Sequence, residues 1–406
     1  MPTAAQQASA RLVTWLQQSA LPYWSTEGTD FRQGGFFERI EYAGAPIEEP
    51  RRTRVVTRQI YVFAAAARHG WLTDADKLVA HGLRFLLERL RLPNGAFAAS
   101  VHIDGAARDE RFDLYEQAFA LFALATAYRL EGDHEAMTSM GAGIGTSAGT
   151  NRKQQLADVA ARLLDAMNRG WKHPQAGYFA ESPKDKTLHA NPHMHLFEAA
   201  LEWEAAQAPT LSATFAKLAD ELAGIALHHL IDPATGALHE HCDTSWNRLP
   251  EPRGGIVEPG HQFEWAWLLS RWGLLHGRDD ALRAAQRLAD IGERQGVDTA
   301  RHVAINELDG HLRPTDAAAK LWPQTERVKV WCEMAARAST PADRAHAEAR
   351  IAKAVDGLMV YTTGAPAGRW HEVQHPDGSF DQQPTRTSSL YHIVCAAETL
   401  ARYAGN

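Results

Sequence analysis

The sequence predicts an all-α protein, an (α/α)6 barrel, on three observations. Apolar residues recur at i, i+3, i+4 and i+7 along most of the chain, while the alternation of a half-buried strand is scarce. A glycine followed within three residues by an aromatic or a leucine recurs six times, in "GGFFER", "NGAFAA", "AGYFAE", "TGALHE", "DGHLRP" and "GRWHEV". With Gly35, Gly95, Gly177, Gly236, Gly310 and Gly368 as markers, the period is about sixty residues with two expansions, which leaves room for two ordinary helices per copy.

Taken in order, the periodicity predicts helices over 5–20, 53–70, 73–90, 113–130, 151–168, 191–206, 212–230, 258–276, 279–296, 318–338, 342–360 and 386–404. Six hairpins of this kind either stack as an open solenoid or close into a ring. Neither terminal hairpin is strongly polar, as an exposed cap should be, so closure is expected: a single domain over 1–406 with six inner and six outer helices. One expansion holds "GAGIGTSAGT", Gly141 to Thr150, inside a Gly-rich insertion near 134–151. It lacks the lysine of a phosphate-binding loop and follows no strand, so it reads as an interhelical insertion.

Bulk composition narrows the function. With 406 residues and 45% hydrophobic content the chain can bury a large core. Lysine plus arginine number 42 against 49 aspartate plus glutamate, with no basic cluster to track a phosphate backbone, so no nucleic-acid partner is expected. No basic start followed by an apolar core and no run of 18 apolar residues occurs, which predicts a cytoplasmic protein with no membrane association. Cys242, Cys332 and Cys395 are too few and too far apart for a disulfide framework or paired metal ligands.

In a ring the marker loops should gather at one end with the starts of the following inner helices. There the chain presents Arg58, Tyr115, Asn191 with His195, His261 with Glu264, Trp322 with Glu326, and His392. In "EPGHQFEWAWLL", His261 and Glu264 share a helical face, so the carboxylate can orient the imidazole and favour its protonated form; a structural His–Glu hydrogen bond is the alternative. His392 follows a Ser/Thr-rich segment able to cap its helix, and is otherwise a core histidine. Asn191 and His195 lie at i and i+4, which also suits a polar link between helices. Arg58 sits in an apolar stretch and needs an acceptor if buried. Trp322 and Trp370 fit either a core or a face for sugar C–H groups. No "HExxH" occurs, and "HEHC" and "HH" lack a paired ligand group, so no metal and no cofactor is expected.

At these residues the chain resembles the N-acylglucosamine 2-epimerase superfamily, which includes cellobiose 2-epimerases and mannose isomerases. The matching segments are "TRQIYVF", "DLYEQAFAL", "NPHMHLFEA", "EPGHQFEWAWLL", "KLWPQTE" and "RWHEV" followed by "LYHI". The resemblance implies an (α/α)6 barrel acting on a sugar without a metal, His261 and His392 as the acid/base pair, and Glu264 as support for the first of them. It implies a sugar-contacting shell of Arg58, Tyr115, Asn191, His195, Trp322, Glu326 and Trp370, with Arg253 matching less closely. "YHIVCAAE" is more similar to the mannose isomerase branch than to the N-acylglucosamine branch.

The expected reaction is therefore interconversion of D-mannose and D-fructose, or of a related sugar such as D-lyxose, by proton transfer through a cis-enediol, with a small monosaccharide as partner. The alternative is 2-epimerisation, and the sequence leaves a homo-oligomer open. Rival classes are an inverting glycoside hydrolase using Glu264 and Glu326, and a non-catalytic sugar-binding protein.

Overall fold

The structure is a computed structural model that describes residues 3–141 and 147–405, apart from 105–106, 182–183 and 185–186; the side chains of 134–141 and 147–150 are also outside the description. Internal contacts divide the chain into two units, one of Met1–Thr26, Arg39–Pro46 and Ala226–Asn406, the other of Glu27–Glu38 and Ile47–Ile225. They are called the C-terminal and N-terminal units below.

The C-terminal unit begins with α1 (Ala4–Trp15), capped by the Thr3 hydroxyl and the Gln6 side chain in a reciprocal box, and with the short α2 (Leu21–Thr26). The N-terminal unit supplies α3 (Thr53–Arg68), α4 (Ala75–Phe85), α5 (Leu114–Gly141), α6 (Ser147–Gly170), α7 (Ala190–Ala205) and α8 (Leu211–Ile225). The C-terminal unit resumes with α9 (Pro259–His276), α10 (Asp279–Gln295), α11 (Trp322–Arg337), α12 (Pro341–Met359) and α13 (Thr387–Gly405).

Each unit is three hairpins deep. In the N-terminal unit α3, α5 and α7 lie side by side, backed by α4, α6 and α8 in turn. In the C-terminal unit α9, α11 and α13 lie side by side, backed by α10, α12 and α1. Inner helices are buried around most of their circumference: in α9 every residue from Pro259 to Ser270 is buried. Outer helices bury one stripe, such as Ala281, Ala285, Leu288, Ala289 and Gly292 of α10, at the i, i+4, i+7, i+8 spacing of a face packed on one neighbour.

The predicted helices are present, and two run further than expected. α5 continues to Gly141 and α6 starts at Ser147, so most of the predicted insertion is helical, as "EGDHEAM", rich in helix formers, permits. Residues 142–146 at its centre lie outside the described residues. No helix among the described residues is long and apolar enough to cross a membrane.

The marker repeat has a structural basis that positions the site. Gly34, Gly95, Gly177, Gly236 and Gly368 adopt positive φ, the left-handed conformation that reverses the chain in a tight loop. The next inner helix then clamps the loop. Gln117 of α5 accepts from the Phe97 backbone N–H and donates to its carbonyl, at 2.8 and 2.9 Å. Gln262 of α9 does the same to Leu238, and Gln324 of α11 to Ala304, while His193 of α7 accepts from the Tyr178 N–H. Two markers are corrected: Gly34, two residues before the buried Phe36, takes the place of Gly35, and by the Gln324 clamp the equivalent turn residue in the fifth copy is His302, at φ 60°, not Gly310, which has no positive φ.

Aligned this way, "GGFFE", "GALHE" and "GRWHE" share a buried apolar residue two positions after the glycine and a glutamate four after it. The glutamate accepts the backbone N–H just before the next inner helix: Glu38 takes that of Arg52 at 2.7 Å and Glu372 that of Arg386 at 2.8 Å. Asn306 does the same for Lys320 at 2.9 Å.

Candidate active site

Every predicted site residue except Arg253 and Trp370 falls in the first two turns of an inner helix: Arg58 in α3, Tyr115 in α5, Asn191 and His195 in α7, His261 and Glu264 in α9, Trp322 and Glu326 in α11, and His392 in α13. Each unit builds its own cluster from them.

In the C-terminal unit the Trp322 ring stands between the two candidate imidazoles, 5.0 Å from His261 and 5.9 Å from His392, centroid to centroid. Gly260 makes this approach possible, since a Cβ there would fall 2.4 Å from the indole ring. Pro259 opens α9 with its φ already set for a helix and no N–H to strand.

His261 is buried, and its Nδ1 lies 3.0 Å from Glu240 Oε2 and 3.8 Å from Glu258 Oε2. Burial opposes a charge on this ring, but Glu240, Glu258 and, least, Glu264 prevail and raise its pKa to about 10. Burial likewise pushes the Glu240 carboxyl upward against the pull of His261, so the proton stays within the pair across neutral pH. The expected orienting role of Glu264 is thus corrected. Helical side chains lean toward the N-terminus, so His261 turns to Glu258, three residues back, and to the preceding loop, rather than to Glu264 three residues on. Glu240 is the repeat's loop glutamate: it also accepts the Glu258 backbone N–H, as Glu38 and Glu372 do at their helices.

His392 Nδ1 lies 3.0 Å from Glu326 Oε1, and Glu326 Oε2 lies 2.5 Å from Lys329 Nζ. Both members of that ion pair are fully buried. Burial alone would raise the Glu326 carboxyl, but Lys329 and the hydrogen bond from His392 hold it far below the ordinary range. Glu326 therefore orients His392 instead of contacting a sugar, because the His392 ring and the Lys329 ammonium occupy its two oxygens.

Two further expectations change. Trp370 is the buried apolar residue of its marker loop, equivalent to Phe36, Phe97 and Leu238, all fully buried. It stacks on Trp24 at 5.2 Å, meets Trp15 edge-on at 6.3 Å and donates to Glu372 at 3.0 Å, which makes it a core residue. Arg253 is exposed, at the start of the single turn Arg253–Gly255 whose two glycines are buried.

In the N-terminal unit Arg58 donates to the Tyr115 hydroxyl at 2.7 Å and lays its guanidinium over Phe119 at 4.3 Å. Tyr115 and Phe119 flank the His195 ring at 4.9 and 4.5 Å, and His195 Nδ1 lies 3.3 Å from Glu198. Arg54 covers Tyr115 at 4.5 Å while pairing with Glu116 and with Asp113. Burial lifts the Glu116 carboxyl to about 7 against the pull of Arg54. Asn191 Oδ1 is a buried acceptor with no hydrogen-bond partner among the described residues.

Within the C-terminal unit, Glu240, Glu258 and His261 offer three potential ligand atoms within 4.8 Å of one another. Nδ1 is the ring atom they share, and it faces Glu240 as an ion pair. Sequence reasoning missed Glu240, Lys329 and the glutamine clamps. Aligning the marker loops on their glutamates would have found Glu240.

Comparison with known proteins adds a family and a fold. The family model described as N-acylglucosamine 2-epimerase (GlcNAc 2-epimerase) matches residues 35–396. A protein of Rhizobium meliloti (strain 1021) named mannose-6-phosphate isomerase is 39% identical over 388 residues, 96% of this chain and 95% of its own. A D-mannose isomerase of Thermobifida fusca is 30% identical over 57% of this chain and 55% of its own. Among solved structures, the cellobiose 2-epimerase of Bacillus thermoamylovorans B4167 superposes with a TM-score of 0.81 at 18% identity, covering 97% of this chain and 99% of that one. This likeness shows the fold, the all-α (α/α)6 barrel that the hairpin repeat predicts.

Proposed function

The chain belongs to the N-acylglucosamine 2-epimerase family and is a sugar isomerase or epimerase, and from that premise we propose that it interconverts D-mannose and D-fructose. The observation that carries the proposal is the arrangement around Trp322: a flat aromatic face between two imidazoles, each on its own carboxylate. Such a face packs against sugar C–H groups while the imidazoles reach the polar atoms.

The ring of the pyranose opens first, exposing the C1 carbonyl that makes the C2 proton acidic. His392 takes that proton, giving a cis-enediol, and His261, held protonated by its carboxylates, supplies a proton to oxygen as negative charge develops there. Return of the proton from His392 to C1, with the O2 proton passing back to His261, gives the ketose; protonation of C2 on the opposite face, with the O1 proton given up, gives the epimer. Arg58, Tyr115, Asn191 and His195 of the N-terminal unit carry donors and acceptors that suit sugar hydroxyls, and a donor well placed on a developing oxyanion is worth about 3–4 kcal/mol.

The substrate proposed is the free hexose. Carboxylates crowd the His261 side and Lys329 is committed to Glu326, so a phosphate dianion placed against these imidazoles meets repulsion. The second reading, a 6-phosphate substrate, is favoured by the name of the 39%-identical relative. Proton NMR of the purified protein with D-mannose, and separately with its 6-phosphate, in deuterated water tests both. Fructose signals from the free sugar support the proposal. Glucose signals move it to epimerisation, turnover of the phosphate alone moves it to the second reading, and retention of the C2 proton in both sugars overturns it.

A further inference from the structure

We infer that Lys329 is a positioning residue which, through Glu326, keeps the His392 imidazole neutral and so makes it the base of the pair. The inference rests on the proposed reaction for the role of His392, and on geometry for the rest.

A buried carboxylate facing an imidazole favours its protonated form, which disables a base. Glu326 faces His392 Nδ1 at 3.0 Å, as close as Glu240 faces His261. The difference stands behind the carboxylate: Lys329 Nζ lies 2.5 Å from the other oxygen of Glu326, so the pair presents orientation and a hydrogen bond to His392 with little net charge. The ammonium lies 3.8 Å over the Trp267 ring, which also carries the Arg271 guanidinium at 4.7 Å.

The other charged groups on the elements packed around this pair have partners of their own. Glu293 of α10 holds Arg327 and Trp331, with Arg350 of α12 at 3.9 Å. Glu372, ahead of α13, is bonded to Trp370, Arg386 and Ser389. Glu398 faces Arg402 at 3.9 Å on α13, Glu333 of α11 is influenced by Arg271, Arg402 and Arg337, His261 meets the Trp322 ring at 5.0 Å with Glu240 on its Nδ1, and Glu264 of α9 acts on His261. Lys329 is thus the cation placed directly on the carboxylate that orients His392. Burying an ammonium and a carboxylate together is a weak way to stabilise a helix contact, since apolar residues of similar volume serve as well or better. Control of the imidazole charge gives the pair a purpose that packing does not.

The test is a titration of the His392 ring by NMR in histidine-labelled protein, with the signal assigned by its loss in H392N, beside the pH profile of kcat/KM. In K329M the ring pKa is expected to rise by about one unit or more. The acid limb of kcat/KM should move to higher pH by the same amount, with the rate recovering above it. K329R, which keeps the cation, should return both toward wild type. An unchanged ring pKa in folded K329M overturns the inference, as does an equal shift in K329R. If K329M does not fold, E326Q/K329M, which strands no buried charge, is compared with wild type. A ring pKa close to wild type, as removal of a pair with little net charge predicts, supports the inference, and a fall of about a unit or more, as removal of an uncompensated carboxylate predicts, overturns it. The NMR signal reads without turnover, so the two readings fail separately. An unshifted ring with intact isomerisation sinks the role of Lys329 alone, and a protein that turns over no aldose sinks the proposed reaction.

Discussion

His261 and His392 occupy the first turns of inner helices in one unit, flank one tryptophan and each meet a buried carboxylate at 3.0 Å, yet their electrostatic company is opposite. Three carboxylates surround His261 and hold its proton to about pH 10. One carboxylate serves His392, and an ammonium neutralises it. A chemically symmetric pair of imidazoles thus becomes an acid and a base through what lies behind each ring, which is how a single site runs both kinds of proton transfer at one pH.

The largest expected effect comes from removing either member. H392N should lower kcat by about 10²–10⁴-fold, the usual worth of a positioned proton-transfer group, with the fold intact by circular dichroism. H261N should fall in the same range and also lose the alkaline limb of the pH profile. That limb has a definite sign: the acid works only while protonated, so wild-type activity should decline as pH rises through about 10. Next comes E240Q, which removes the nearest of the three carboxylates and should bring the alkaline limb down by about a unit or more. E264Q, the least of the three influences, should move it less; a larger shift in E264Q would restore the sequence-based pairing. W322A should raise KM for mannose about 5–10-fold, matching about 1–1.5 kcal/mol of aromatic contact, and a KM equal to wild type would remove the ring from the site. The smallest effect on catalysis is expected from W370A, which should leave KM unchanged while costing about 3–5 kcal/mol of stability in a denaturant melt.

Much of this was legible in the chain. Helical periodicity located the helices of the six hairpins because each carries at least one apolar face, and rare polar residues at the start of inner helices marked the candidate site. Pairings across loops were not legible. The i, i+3 spacing made Glu264 the natural partner of His261, whereas Glu240 reaches it from a loop whose path depends on the Gln262 clamp and the left-handed Gly236. Trp370 matched a sugar-binding aromatic in kind, but its place two residues after a marker glycine sends it into the core with Phe36 and Leu238. Lys329 reads in sequence as an ordinary helical lysine, and only its burial against Glu326 and Trp267 gives it a role. At His302 a histidine takes the left-handed position that glycine holds in five other copies, so a search keyed on glycine settled on Gly310.

The central claim is that His392 removes the proton from C2. The most direct measurement follows loss of deuterium from [2-²H]-D-mannose into water with the wild-type protein, H261N and H392N at pH 7.5. The account predicts rapid wash-out with wild type and essentially none with H392N, even where the sugar still binds. Wash-out by H392N at the wild-type rate would contradict it and move the base to another residue.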